Sequence, residues 1–436
     1  MKCALRYMNL CFIYCLIGFI LVSYYNTASE VYREKYEKIE NIKLNCQAIY
    51  DGATEAKKFR TWQLGSRTIQ RELEESDTIC DTLHKYFHFQ KTPLSAEEKT
   101  FPLAFGFLAH IDILQVLFTL SLLYQPQNQY CITIDNRSQS PFKNVLLRIP
   151  RCFENIRVQI GDMSFPPLYK MGVLNNVYQC VTDLTTSGSN WKYYQFVASH
   201  DIPLKTNLEM VRILKALNGS INTEFYPYSE WRYGIRRSDP PPFTLYQGEM
   251  GVALPRAAAD HIVMNREIDV LLNYLNKTHM PFETFWATVA GNKRELKAPG
   301  SFYGQDLLYL QQKLFGENTS HIQSTSHVGS TSIARLEVYK MKKWCGDNPM
   351  CHFGAEDLPM LLRRPELLAH KMFFSLQPAA YICLAKELRR RGRDPGHFNA
   401  ISYSRMPTVE LNSGIPIERL THPEWMATSR KYEKWT

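Results

Sequence analysis

Pro126-Gln127-Asn128-Gln129-Tyr130-Cys131-Ile132-Thr133-Ile134-Asp135 decides the fold. Four turn-forming or polar residues lead into an apolar run that stops on an aspartate. That pattern reads as a buried strand. A strand ending in Asp at the mouth of an α/β sheet is where nucleotides are commonly held. Its cysteine suggests an oxidising compartment. Working outward, Leu103 to His110 reads as another apolar strand and Ile111 to Tyr124 has helical spacing. Arg157 to Ile160 predicts a short strand, Val173 to Leu184 a helix, and Tyr194 to Ala198 a further strand. Strand-helix alternation of this kind predicts an α/β fold with a mostly parallel central sheet and helices on both faces. Asn190-Trp191-Lys192-Tyr193 and His200-Asp201 through Glu209 complete the informative block.

The chain has 436 residues, 45% apolar and 21% charged, with a formal net charge of +9. This is ordinary globular material. A basic balance fits an anionic ligand such as a nucleotide diphosphate, or an acidic membrane surface. The Lys and Arg are scattered, so nucleic acid is not called for. The tight cluster Arg389-Arg390-Arg391-Gly392-Arg393 reads as a solvated helix end.

Lys2 and Arg6 precede an uncharged apolar run, residues 8–25, which reads as a transmembrane signal anchor with its N-terminus in the cytosol. The alternative is a cleaved signal peptide, for which Thr27-Ala28-Ser29 is a weak site. Cys3, Cys11 and Cys15 fall in or before that run. Cys46, Cys80, Cys131, Cys152, Cys180, Cys345, Cys351 and Cys383 lie outside it, an even set that suggests four disulfides. A zinc site at Cys345, Cys351 and His352 is the minor alternative. Glycosylation sequons stand at Asn136, Asn218, Asn276 and Asn318 and agree with a secretory route. The expected organisation is a cytosolic tail (1–7), the anchor (8–25), a stem rich in charged residues (26–100), one large domain (101–390) and a polar tail (391–436). Asp239-Pro240-Pro241-Pro242 reads as a rigid surface connector.

Several ordered blocks together carry a resemblance. The Pro126–Asp135 strand, Asn190–Tyr193, Asp201–Glu209, Glu283-Thr284-Phe285-Trp286-Ala287-Thr288, Pro299-Gly300-Ser301 and Phe353-Gly354-Ala355-Glu356-Asp357-Leu358 resemble the core 2 and I-branching β-1,6-N-acetylglucosaminyltransferases, which are related to protein xylosyltransferases. The likeness runs over roughly residues 80–390. It implies a single-pass type II Golgi membrane protein with a GT-A-like domain in the lumen. Members of this family move a sugar from a UDP donor to the 6-hydroxyl of galactose or N-acetylgalactosamine with inversion, and need no metal. The chain holds no Asp-x-Asp metal motif, so no metal or other cofactor is expected beyond the UDP-sugar co-substrate. The implied disulfides are Cys46–Cys383, Cys80–Cys152, Cys131–Cys180 and Cys345–Cys351.

The resemblance also implies roles for particular residues. Glu283 matches the family's catalytic base, and Pro281 suggests a helix start whose N-terminus would favour the charged carboxylate. Lys371 matches a phosphate-binding lysine. Members carry an arginine between the close cysteine pair, whereas Gly346-Asp347-Asn348-Pro349-Met350 has no cation; Lys342 or Lys343 is the substitute, or phosphate is held differently. Asp135 would meet the uridine or ribose. His110 would line the base or serve as a core residue. Asp201 would face the same cleft or cap a helix. Tyr339 stands where the family has a sugar-stacking tryptophan. Glu230 and Arg232 fall among polar acceptor contacts, and Trp231 reads as packing. Glu249 replaces a small residue near the sugars. The expected partners are a UDP-sugar donor, an O-glycan acceptor on glycoproteins, and the membrane through residues 8–25. GlcNAc is the expected sugar. A different UDP-hexose such as UDP-glucose, or a catalytically silent lumenal glycan-binding protein, stays open.

Overall fold

Strand β1 (Leu103–Ala109) is buried at every residue, so it has to lie inside a sheet covered on both faces. In a computed structural model, which describes residues 38–52, 54–163, 171–236, 238–315, 331–337 and 352–428, it does. β1 pairs in parallel with β2 (Gln129–Asp135) on one side and with β4 (Tyr193–Ala198) on the other. β3 (Ile156–Gly161) continues the parallel set beyond β2. Past β4 the sheet turns antiparallel, with β9 (Val252–Pro255) and then β6 (Asn222–Thr223). The strand order is β3-β2-β1-β4-β9-β6. Two smaller sheets flank it. One joins β10 (Leu336–Glu337), β11 (Leu368–His370) and β5 (Asp201–Pro203); the other is an antiparallel ribbon of β7 (Tyr226–Pro227) and β8 (Tyr246–Gln247). The strands and helices expected between residues 103 and 198 all form, with ends shifted by a few residues.

Local chemistry explains the register around the opening stretch. The Asn128 side chain accepts a hydrogen bond from Leu103 N–H at 2.9 Å and donates to Asn207 at 2.8 Å. It thereby pins the entrance of β2 to β1. The Tyr130 hydroxyl donates to Leu123 O at 2.8 Å and ties β2 to the end of the helix Ile113–Leu123. Gly106 has to be glycine, because a Cβ there would stand 2.1 Å from the Tyr194 hydroxyl. Cys131 and Cys180 bond β2 to the helix Gly172–Thr186.

Three disulfides are described, Cys46–Cys383, Cys80–Cys152 and Cys131–Cys180, and they match three of the four implied pairs. Cys345, Cys351, the Asn318 sequon and residues 8–25 lie outside the described residues. Among the described residues no helix is long and apolar enough to cross a membrane. Asn136, Asn218 and Asn276 are exposed.

Two boundaries are corrected. Residues 38–100 do not stand apart as a stem: Ile39, Ile49, Ile69, Leu73 and Leu83 are buried in the main core, and Cys46 is bonded to the helix Pro378–Arg393. Their apolar positions are few but fall on the inward side of short helices, which a charge-rich composition conceals. The tail is likewise folded onto the domain, with Tyr403, Met406 and Val409 buried. The arginine cluster is not simply solvated. Arg389 pairs with Glu40 at 3.2 Å and Arg391 with Glu209 at 2.6 Å, so two of its members staple the helix to distant segments.

Candidate active site

The chain leaves β1 toward β2 and β3 on one side, then returns to place β4 on the other. The carboxyl ends of β1 and β4 therefore diverge, which makes a crevice of the kind where open α/β sheets hold ligands. His110 follows β1, and Ser199 and His200 follow β4. Ser199 bridges them: its hydroxyl donates to Leu108 O at 2.8 Å, accepts from His110 N–H at 3.1 Å, and lies 2.9 Å from His110 Nδ1. The His110 and His200 rings meet edge-on at 5.3 Å. His200 also packs on Phe373 (4.3 Å), as does His352 (4.5 Å). Lys371 Nζ lies 5.4 Å from the centre of that same Phe373 ring.

Burial lowers the pKa of His110, His200 and His352, and neighbouring cationic groups add to the effect at His200, which falls to about 3. These imidazoles are neutral at physiological pH and serve as hydrogen-bonding or stacking groups. Lys371, just past β11, is half-buried and its pKa is lowered by that burial. Its positive charge acts on His200, which follows β4.

Asp135 ends β2 beside the crevice, where Arg137 engages both its oxygens, at 3.1 and 2.7 Å. Burial works against its charge, but Arg137 outweighs it and keeps the carboxyl below its ordinary range. Asp201 is fully buried on β5. It accepts from Ala198 N–H at 2.7 Å, contacts His370 Nδ1 at 2.7 Å, and faces Arg335 at 3.7 Å. It does not cap a helix. That task falls to Thr206, which forms a capping box with Glu209. Burial opposes the charge on Asp201, and Arg335 and His370 overcome it.

Arg335 connects this crevice to the second half of the site. Its guanidinium is buried, pairs with Glu337, and lies 5.7 Å from the Phe196 ring centre. Its Nε and Nη1 have no hydrogen-bond partner among the described residues. Its positive charge also acts on Glu283. Pro281 opens a single 3-10 turn ending at Glu283, and the helix Phe285–Gly291 begins two residues on. The Glu283 carbonyl accepts from Gly248 N–H at 2.6 Å. Gly248 is fixed by close approach, since a Cβ would stand 2.1 Å from Glu224 O. The Glu283 carboxylate meets Arg232 at 2.5 Å, and the Arg232 side chain is only 4% exposed.

Glu283 ionises less readily than a helix N-terminus alone would suggest. Burial and the nearby Glu249 carboxylate push its pKa up to about 7, against the pull of Arg232 and Arg335. A helix end contributes about 0.3–1 kcal/mol. Desolvation of a carboxylate is the larger effect and wins. Arg232 is thus placed on the Glu283 carboxylate itself. Glu230 and Trp231 in the same turn are exposed. Tyr339, Lys342 and Lys343 lie outside the described residues. Among the described residues there is no group of three or more His, Cys, Asp or Glu that could hold a metal ion.

Sequence reasoning passed over Arg335, His200, His370 and Phe373. His200 could have been found, because it directly follows a strand at the switch point. Arg335 carried the signal of a lone charge in the apolar stretch Ile333-Ala334-Arg335-Leu336.

The fold is a mixed α/β one with a mostly parallel sheet, and the chain is a glycosyltransferase. Residues 103–311 match the family model for Core-2/I-Branching enzymes, the family that the chain resembles. It is 27% identical, over 80% of its length and 83% of the relative's, to "Beta-1,3-galactosyl-O-glycosyl-glycoprotein beta-1,6-N-acetylglucosaminyltransferase 3" of Mus musculus. The Homo sapiens protein of the same name is 28% identical over 71% of this chain and 73% of that one. A likeness to the X-ray structure of the mannosyltransferase Ktr4p from S. cerevisiae covers 61% of this chain and 76% of that one at 12% identity, with a TM-score of 0.20, too slight to carry any argument.

Proposed function

We propose that this glycosyltransferase moves N-acetylglucosamine from a UDP donor to the 6-hydroxyl of a galactose- or N-acetylgalactosamine-containing O-glycan, in one inverting step. The names of its relatives support the linkage and the sugar. The observation that carries the reading is Glu283, a largely buried carboxylate whose pKa of about 7 lies near working pH, where a general base is most effective. Glu283 takes the proton from the attacking hydroxyl. The departing UDP gains negative charge as the bond to the sugar breaks, and Lys371 in the switch-point crevice offsets it. Asp201 and His370 brace the backbone that presents Lys371, and Arg335 holds Asp201. In this scheme no metal is required, and the domain is of the GT-A kind. Residues 8–25 anchor it in the Golgi membrane as a type II protein, with the domain in the lumen.

Glu249 beside the base is the reason to test donors broadly. Incubation with a panel of UDP-sugars and a galactosyl-N-acetylgalactosamine acceptor, with and without EDTA, followed by linkage analysis, is expected to yield a β-1,6-linked N-acetylglucosamine in both conditions. Glu283→Gln is expected to lose transfer and keep UDP binding. Unchanged turnover of that variant would remove the base, and strict dependence on added manganese would remove the metal-free scheme.

A further inference from the structure

The Pro240-Pro241-Pro242 connector borders a cavity of about 940 Å³ that shares no residue with the switch-point crevice. Its walls come from the β7–β8 ribbon, from the turn Glu230–Arg236, from the connector, and from the helix Gly304–Phe315. Five aromatic rings line it: Tyr228, Tyr233, Phe243, Tyr246 and Tyr309. Tyr228 and Tyr233 pack edge-to-face at 4.9 Å, and the Tyr246 hydroxyl accepts from Gln305 at 3.4 Å. Tyr309 is 58% exposed, although large aromatic side chains on a helix usually turn inward.

The lining chemistry selects the ligand. Among the described residues that line it, Glu295 is the one charged side chain and none is a cation, so this wall does not favour a nucleotide diphosphate. Rings and prolines offer flat apolar faces, while Gln305, Gln312, Thr244 and Glu295 offer hydrogen-bonding groups around them. A neutral sugar chain presents the same mixture, with C–H faces ringed by hydroxyls. The volume is at the upper end of the roughly 300–1,000 Å³ of ligand pockets. The cavity also adjoins the proposed chemistry through the backbone. Tyr233 follows Arg232, which holds Glu283, and Tyr246 precedes by two residues the Gly248 N–H that binds the Glu283 carbonyl.

We propose that this aromatic cavity is an extended acceptor subsite that binds the non-reacting sugars of a neutral oligosaccharide. Its catalytic consequence rests on the acceptor reading above, while its binding of sugar does not. The test uses the full chain, a galactosyl-N-acetylgalactosamine disaccharide, and a neutral tetrasaccharide with the same reacting terminus. Direct binding is followed by saturation-transfer NMR, and KM and kcat are measured for both acceptors. Tyr309→Ala is expected to weaken tetrasaccharide binding and raise its KM roughly five- to tenfold, the loss of one stacking face. KM for the disaccharide, kcat and UDP binding are expected to stay unchanged, and Tyr309→Phe to restore the wild-type values. Phe243→Ala, which removes another lining ring, is expected to act in the same direction. Equal tetrasaccharide binding in wild type and both alanine variants would overturn the proposal, as would capture of a proline-rich peptide in place of the sugar. Tetrasaccharide binding that depends on Tyr309 in a protein that transfers to neither acceptor would support the subsite and refute only the catalytic reading.

Discussion

Replacing Arg232 by Gln should move the pH dependence of transfer upward. The Arg232 guanidinium meets Glu283 at 2.5 Å with its side chain 4% exposed, so it is the strongest force holding the carboxyl ionised. Two unit charges about 4 Å apart at an effective dielectric constant of about 20 attract by roughly 4 kcal/mol. At about 1.36 kcal/mol per pKa unit, that is an upper bound of about three units. Glu283 keeps 20% exposure and Arg335 still acts on it, so a rise of about one to two units is the working figure. The base is needed without its proton, so activity climbs as pH rises through its pKa. A limb at about 7 in the wild type should therefore move to about 8 or 9 in Arg232→Gln. At pH 7 the ionised fraction falls from about one half to between about one tenth and one hundredth, and kcat/KM falls by roughly five- to fiftyfold. Most of that loss should return at pH 9. Glu249→Gln removes a carboxylate that raises the pKa, so its limb should move below the wild-type position. The assay is kcat/KM against pH at fixed ionic strength for the three proteins. A limb that stays near 7 in Arg232→Gln while the rate drops by the same factor at every pH would refute the assignment of Arg232 to the base.

Lys371→Ala should weaken UDP binding in a titration monitored by calorimetry while leaving the melting temperature close to wild type, because the side chain is half-buried and its assigned partner is the ligand; equal affinity would remove its role. The double substitution Cys46→Ser and Cys383→Ser opens a bridge between residues 337 apart and should cost about 2–5 kcal/mol, read as a lowered thermal midpoint. An unchanged midpoint would show that residues 38–100 add little to the core.

Much of the sheet was legible because its strands are short, apolar and bounded by turn residues. Leu103–Ala109, Gln129–Asp135 and Tyr193–Ala198 each bury nearly every residue, and that is a local property. Glu283 and Lys371 were reached through family blocks rather than through periodicity. Arg335 was missed because its importance comes from what it meets, Asp201 and Glu337, which no spacing along the chain reveals. The aromatic cavity was hidden for the same reason: its rings come from residues 228 to 309 and only a folded chain gathers them.

Composition and pattern by themselves determined the α/β class and an even set of cysteines, while the family resemblance implied the three cysteine partnerships seen and the residues offered for proton transfer and phosphate binding. Tertiary structure alone decided the ionisation of Glu283, because burial and the fields of Glu249, Arg232 and Arg335 are sums over groups distant in sequence. It likewise decided that the charged N-terminal segment and the polar tail belong to the domain, since a handful of buried side chains such as Ile39 and Tyr403 outweigh a hydrophilic average once they find the same core.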